Sequence, residues 1–251
     1  MKSKIISIHS YRGGTGKSNI TANLAYTLVR QNKRVAVVDT DIQSPGIHVI
    51  FKAQQGSLKF FLNDFLWRKC EIEEAAIEVA LQDQDGTGKL FLIPSSTNTG
   101  DIARIINDGY NVELLSEGFN RLCEKLELDF LLIDTHPGLN EETLLTIAVS
   151  DKLIVIMRPD QQDFEGSSVT LRVASRLHVE QIGLILNKVP VSFDPVQLKQ
   201  EVEKNYGYPV EAIIPHSDDV MILGSKTIFC EQFPDHEITN IIKSIGHHLI
   251  E

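Results

Sequence analysis

Along the chain, short runs of consecutive apolar residues alternate with longer stretches in which apolar residues recur every three or four positions. Seven runs are continuous: 4–10 (KIISIHS), 34–40 (RVAVVDT), 90–96 (LFLIPSS), 130–136 (FLLIDTH), 152–158 (KLIVIMR), 182–188 (IGLILNK) and 210–216 (VEAIIPH). A strand with one wet face alternates apolar and polar residues, so continuous runs mark strands covered on both faces, as in a parallel sheet. Between them the spacing predicts helices over 17–31, 100–108, 112–126, 140–149, 163–177, 195–206 and 237–249. Strand and helix taking turns predict a doubly wound, mostly parallel α/β sheet with helices on both faces, whose ligands bind at the carboxyl ends of the strands. Residues 68–89 fit least well, with an acidic helix-like stretch EIEEAAIEVALQ and a polar turn DQDGTGK. Without a repeat, low-complexity segment or Pro/Gly-rich linker, residues 1–251 are expected to form a single domain.

Composition narrows the classes. A formal net charge of −10 disfavours nucleic acid and anionic lipid as partners, because on average it repels both. The N-terminal MKSKIISIHS has only a short apolar run, unlike a signal peptide, and no stretch approaches the roughly 18 consecutive apolar residues of a spanning helix. A cytoplasmic protein is expected. Cys70, Cys123 and Cys230 are widely separated, which suggests thiols in a reducing compartment rather than a disulfide framework or a metal site.

The richest segment is ISIHSYRGGTGKSNITANLA, residues 6–25. A phosphate-binding loop reads G, four residues, then GK and Ser or Thr. Gly16, Lys17 and Ser18 supply the end, but Tyr11 stands where the first glycine belongs. The context is right: a strand precedes, and Ile20, Leu24, Ala25 and Leu28 follow on helical spacing. Backbone N–H groups of Gly13, Gly14, Thr15, Gly16, Lys17, Ser18 and Asn19 at a helix N-terminus suit phosphate oxygens. Lys17 would reach the β- and γ-phosphates, and the Ser18 hydroxyl would ligate Mg²⁺. A second G-T-G-K at Gly86–Lys89 precedes a strand and lacks the following Ser or Thr, so it reads as a turn.

RGGTGKS closely resembles the deviant Walker A motif of the MinD/ParA family, K-G-G-x-G-K-[ST], and the resemblance extends over most of the chain. Tyr11 is then no anomaly. In that family the early lysine reaches the phosphates of a partner's ATP across a nucleotide-sandwich dimer; here Arg12 occupies its place, and a planar guanidinium fork does not substitute conservatively for an ammonium. Arg12 acts as an arginine finger in trans, holds ATP in a dimer with little hydrolysis, or points to solvent; the phosphate-contacting role is the preferred expectation. The segment VVDTDIQSPG resembles the family's D-x-D, which implies that Asp41 sits beside Mg²⁺ and positions the attacking water, with Asp39 structural. FLLIDTHPG resembles the Walker B and switch II segment, implying Asp134 as a metal ligand and segments 41–50 and 134–142 as γ-phosphate sensors. His136 stands where the family often has a small residue and is expected to be an exposed or hydrogen-bonded switch residue.

LILNKVP places Asn187 and Lys188 where relatives read the base, and IIPHSDDV resembles the second base-side segment, implying Pro215, His216, Ser217 and Asp218 around an adenine. Pro190 occupies the place of the aspartate that guanine-specific motifs use, which favours adenine. The resemblance thus implies ATP and Mg²⁺ as cofactors and a homodimeric switch ATPase, slow alone, that positions or regulates a protein partner or cargo. Lys17, Arg12 and Asp41 are its expected catalytic residues. Rivals are an ATP-binding dimeric scaffold with little hydrolysis and, more distantly, a small-molecule ligase or kinase. Arg172, Arg176, Lys199, Lys204, Lys226 and Lys243 are scattered, so DNA binding is not favoured. The tail carries Ile238, Ile241, Ile242, Ile245 and Leu249 on one face with Lys243 its one firm cation, so packing against the sheet is expected rather than membrane attachment.

Overall fold

The computed structural model describes residues 2–54, 56, 58–82 and 86–250. Eight strands form one sheet: β1 (Lys4–His9), β2 (Arg34–Asp39), β3 (Ile77–Glu78), β4 (Lys89–Ile93), β5 (Phe130–Asp134), β6 (Lys152–Met157), β7 (Gln181–Val189) and β8 (Val210–Pro215). Their order across the sheet is β3-β4-β2-β5-β1-β6-β7-β8, parallel throughout except for β3, which runs antiparallel to β4. All seven expected strands are present. The expected helices correspond to α1 (Lys17–Val29), α4 (Thr99–Asp108), α5 (Glu113–Lys125), α6 (Glu141–Ala148), α7 (Gln161–Arg176), α8 (Pro195–Tyr206) and α11 (Glu237–Ile250). Among the described residues four short α-helices join them: α2 (Ile47–Ile50), α3 (Leu62–Leu66), α9 (Asp218–Leu223) and α10 (Phe229–Gln232).

The continuous apolar runs have the cause inferred for them, since both faces of the sheet are covered. Ile6, Ile8, Val35, Val37, Leu132 and Ile154 point into a cluster with α1, α10 and α11. The alternate residues Ile5, Ala36, Val38, Leu131 and Ile133 pack with α3 and α5. Leu153, Val155, Leu184 and Leu186 pack with residues of α7 and α8. Helix α1 is buried from Ile20 to Val29, because it lies on the sheet beneath α11. The apolar face of α11 is spent there too: Ile238, Ile242, Ile245 and Leu249 are buried against α1 and β8.

The acidic stretch after Cys70 is not a helix. Ile72–Ala75 is a single 3₁₀ turn, followed by edge strand β3. Val79 N–H donates to Leu90 O at 2.8 Å, so pairing with β4 wins over helix propensity here. In the polar stretch that follows, residues 83–85 lie outside the described residues. The second G-T-G-K is a turn packed on the end of α1, where Thr87 N–H donates to Asn32 Oδ1 at 3.0 Å. A Cβ at Gly88 would collide with the Val29 carbonyl oxygen. Gly88→Ala is therefore expected to lower stability by about 1–3 kcal/mol in urea unfolding, through an overpacked backbone contact, with nucleotide affinity unchanged.

Candidate nucleotide site

The carboxyl ends of β1, β2, β5, β7 and β8 meet around the loop that joins β1 to α1. Gly14 and Gly16 take left-handed φ of 80° and 94°. Gly16 caps α1 without a side-chain hydrogen bond, so the helix presents an uncapped, partially positive N-terminus to the loop. The end of β7 grips the loop from the side: Asn187 Nδ2 donates to Thr15 O at 2.7 Å and Lys188 Nζ to Gly14 O at 2.8 Å. A Cβ at Gly16 would strike that Asn187 amide, so glycine is required twice over. Tyr11 packs its ring over Gly166 of α7, which has no room for a side chain. The residue in the place of the first loop glycine is thus a docking contact.

Lys17 does not reach outward. Its Nζ donates to Asp134 Oδ1 at 2.7 Å, with Lys17 and Asp134 side chains 8% and 1% exposed. The Thr21 hydroxyl lies 3.2 Å from the same oxygen. Asp39, the register partner of Asp134 on the neighbouring strand, is fully buried. Burial, reinforced by the like charge of Asp134, holds the Asp39 carboxyl well above the usual carboxylate range. It also accepts Asp41 N–H at 3.1 Å and Gly46 N–H at 3.3 Å, and so anchors the segment after β2.

Asp39 and Asp41 were both expected at the carboxyl end of the second strand. Instead β2 ends at Asp39, and Asp41 opens a turn in which Ser44 N–H donates to its backbone oxygen at 3.2 Å. Its carboxylate accepts from His136 Nδ1, 2.7 Å away. The hydrogen bond to Asp41 raises the His136 pKa above 6.5, against the opposing effect of burial. His136 is thus a hydrogen-bonded residue of the segment after β5.

Arg12 is engaged within its own chain. Its guanidinium lies 3.5 Å from Asp160 Oδ1 and 3.5 Å from Asp163 Oδ1, at the N-terminus of α7. Arg158 binds the same two carboxylates, at 3.1 and 3.0 Å. PDQQD carries the signal of a helix start at Asp160, which the expected helix over 163–177 did not use; the pairing of Asp160 with Arg12, about 150 residues earlier, has no local signal.

Beside the loop lies a cavity of about 400 Å³. Asn187, Lys188, Pro215, His216 and Ser217, five of the residues expected around the base, line it together with Gly16 and Asn19 of the loop. Asp218 is not part of the lining: it starts α9, its side chain is 90% exposed, and its nearest partner is His216 Nε2 at 3.7 Å. Ile20, Val220, Met221 and Phe229 supply an apolar wall that the motifs did not reveal, suited to the face of a flat ring. Asn187 also differs from expectation, since both ends of its amide are engaged, by Thr15 O and by Lys188 N–H at 2.9 Å.

A family model described as an AAA domain matches residues 3–184. The chain belongs to the MinD/ParA family of P-loop ATPases. Similar to it over 98% of this chain and 87% of the relative is an uncharacterised ATP-binding protein of Methanocaldococcus jannaschii, 29% identical. The cell division ATPase MinD of Pyrococcus furiosus has the same fold, with a TM-score of 0.82 at 20% identity over 100% of this chain and 99% of that one. MinD from Pyrococcus horikoshii, described in complex with Mg-ADP, superposes with a TM-score of 0.80 at 20% identity, covering 98% of this chain and 96% of that one.

In this MinD/ParA chain the residues fit a nucleotide and Mg²⁺ on their own chemistry. The Thr15 hydroxyl oxygen is buried without a hydrogen-bond partner, and Gly13 and Gly14 have open space where a Cβ would stand. Ser18, Asp41 and Asp134 offer hard oxygens, and no cluster of three or more metal-ligating side chains exists among the described residues. That composition suits Mg²⁺, which takes one or two carboxylates and completes its shell with water and phosphates.

His9, at the end of β1, is fully buried, and burial with the nearby Lys17 charge pulls its pKa to about 3. It is therefore neutral in the folded chain, while its unfolded value is 6.5. A lowered histidine pKa means that the unfolded state binds more protons between those values, so its contribution is complete above pH 6.5 and falls as pH drops toward 3. In His9→Asn, the dependence of unfolding free energy on pH between 6 and 4 is expected to weaken by about one proton, as read from urea melts at a series of pH values.

Proposed function

We propose that the chain is a single-domain, ATP-dependent switch: it binds ATP with Mg²⁺, pairs with a second copy around the nucleotides, hydrolyses ATP slowly, and signals to a protein partner or cargo. The observation that carries this reading is the Lys17–Asp134 pair, buried under a glycine loop at an uncapped helix N-terminus. Neither group has reason to be buried there unless each is also used by a ligand, because a buried ion pair adds little stability of its own. Lys17 is of the type that binds phosphate as a point charge, and Gly13 to Asn19 would surround the phosphates. Mg²⁺, held by Ser18, Asp41 and Asp134, would neutralise charge on the β- and γ-phosphates. Asp41 would orient the attacking water from the segment that Asp39 anchors.

Asn187, Lys188, Pro215, His216 and Ser217 would hold the base, with the apolar wall against its face; Asp218 would act only from the rim. Arg12 would leave Asp160 and Asp163 to reach a partner's phosphate. Its engagement by two carboxylates in cis favours slow turnover, and keeps open an ATP-dependent scaffold with almost no hydrolysis as the second reading. Among the described residues no helix is long and apolar enough to cross a membrane, and the apolar face of α11 is already buried. Both observations support a cytoplasmic protein that docks on a protein partner rather than on lipid.

Light scattering with Mg²⁺ and either nucleotide tests this directly, with phosphate release recorded in the same samples. Wild type is expected to be a dimer with ATP and a monomer with ADP. Lys17→Ala is expected to bind ATP about 10–100-fold more weakly, the cost of a charge-assisted phosphate contact. Arg12→Ala is expected to bind ATP as a monomer. A wild type that stays monomeric with ATP bound contradicts the sandwich dimer, and a dimer that releases no phosphate selects the scaffold.

A further inference from the structure

We infer that His136 is a positioning residue: its imidazole holds the Asp41 carboxylate and thereby joins the two nucleotide-sensing segments into one unit. The inference rests on the ATPase reading above for its functional consequence, and on geometry alone for the link.

Strands β2 and β5 are neighbours in parallel register, with Asp39 opposite Asp134. The loops that leave their carboxyl ends therefore start at the same height, side by side. Asp41 lies two residues beyond one strand end and His136 two residues beyond the other. Across that gap His136 Nδ1 and Asp41 Oδ1 are 2.7 Å apart. A carboxylate only accepts hydrogen bonds, so Nδ1 is the protonated nitrogen of the ring.

Among the described residues the Asp41 carboxylate has one other hydrogen-bond partner, the Ser44 N–H at 3.2 Å, which comes from its own turn. His136 is thus the tie that fixes the carboxylate relative to the rest of the site. The main chain that carries the imidazole is itself held, because the His136 carbonyl oxygen accepts from Thr143 Oγ1 at 3.3 Å, and Asn140 caps α6, the helix to which Thr143 belongs. Movement of 134–142 is therefore transmitted to Asp41 through one short hydrogen bond. A small residue in place of His136 would leave Asp41 with its own turn only, and its side chain free to rotate. Orienting a catalytic carboxylate matters because small displacements of a positioning group are expensive in rate.

Two readouts test this. In the nucleotide-free protein, ¹⁵N NMR of the imidazole is expected to show His136 protonated on Nδ1, and Asp41→Ala is expected to remove that preference. A wild-type ring protonated on Nε2 and not on Nδ1 overturns the link. In steady-state phosphate release, His136→Ala is expected to lower kcat about 10–100-fold, with KM for ATP within about twofold and the thermal midpoint unchanged. His136→Asn, whose amide replaces the Nδ1–H donor, is expected to recover most of kcat, whereas His136→Gln, whose amide replaces Nε2, is not. Equal rates in Asn and Gln variants, or wild-type rates in all three, overturn the positioning role. A wild type with no hydrolysis overturns the ATPase reading instead, and the NMR result then decides the link by itself.

Discussion

One buried ion pair organises this molecule. Lys17 and Asp134 face each other at 2.7 Å, almost entirely out of water, at the point where α1 starts and β5 ends. Removing two charges from water is costly, and attraction at short range repays it only when both partners stay matched. Lys17 also offsets part of the charge of its acidic neighbours: Asp39 lies beside Asp134, and its carboxyl is pushed toward the neutral form. On the other side His9 stays uncharged, in part because Lys17 is near. The site is thus a compact electrostatic balance around a single cation, and any anion entering the loop competes for that cation directly.

The sheet makes this balance possible. Central parallel strands, covered on both faces, end together and hand their first loop residues to one place. β1 supplies the glycine loop, β2 the anchor Asp39 and then Asp41, β5 Asp134 and then His136, while β7 fixes the loop from the side. The anchoring pattern is asymmetric. The glycine loop is clamped by Asn187 and Lys188, and the apolar base pocket adjoins that clamp. The segments after β2 and β5 are rooted in the sheet, through the Asp39 carboxylate and through Thr135 N–H to Ile8 O at 3.3 Å, and are tied to each other by the His136–Asp41 hydrogen bond. A rigid phosphate cradle beside two mutually linked segments is the mechanical arrangement a nucleotide-dependent switch needs.

Much of this was legible in the amino-acid sequence, and what was not has physical causes. Continuous apolar runs exposed the buried strands, because nothing but coverage on both faces permits them. The short helices α2, α3, α9 and α10 span four to six residues, too few for a 3.6-residue period to declare itself. The stretch 71–82 misled because acidic residues and alanines favour helix, whereas its place at the sheet edge beside β4 decides for a turn and a strand. The glycine loop lies between β1 and the start of α1, as its local spacing implied. Partnerships between loops did not: Arg12 with Asp160 and Asp163, His136 with Asp41, and Tyr11 with Gly166 depend on which strand ends and helices become neighbours. Asp218 failed for a related reason, because the turn of α9 carries its carboxylate into solvent while His216 and Ser217 remain at the pocket.

In the proposed switch, the segments 41–50 and 134–142 distinguish ATP from ADP. Hydrogen–deuterium exchange, compared between protein saturated with ADP and with a non-hydrolysable ATP analogue, each with Mg²⁺, measures this most directly. Slower exchange with the ATP analogue is expected in both segments together, with little change in the central strands. Identical exchange of both segments in the two nucleotide states would contradict it.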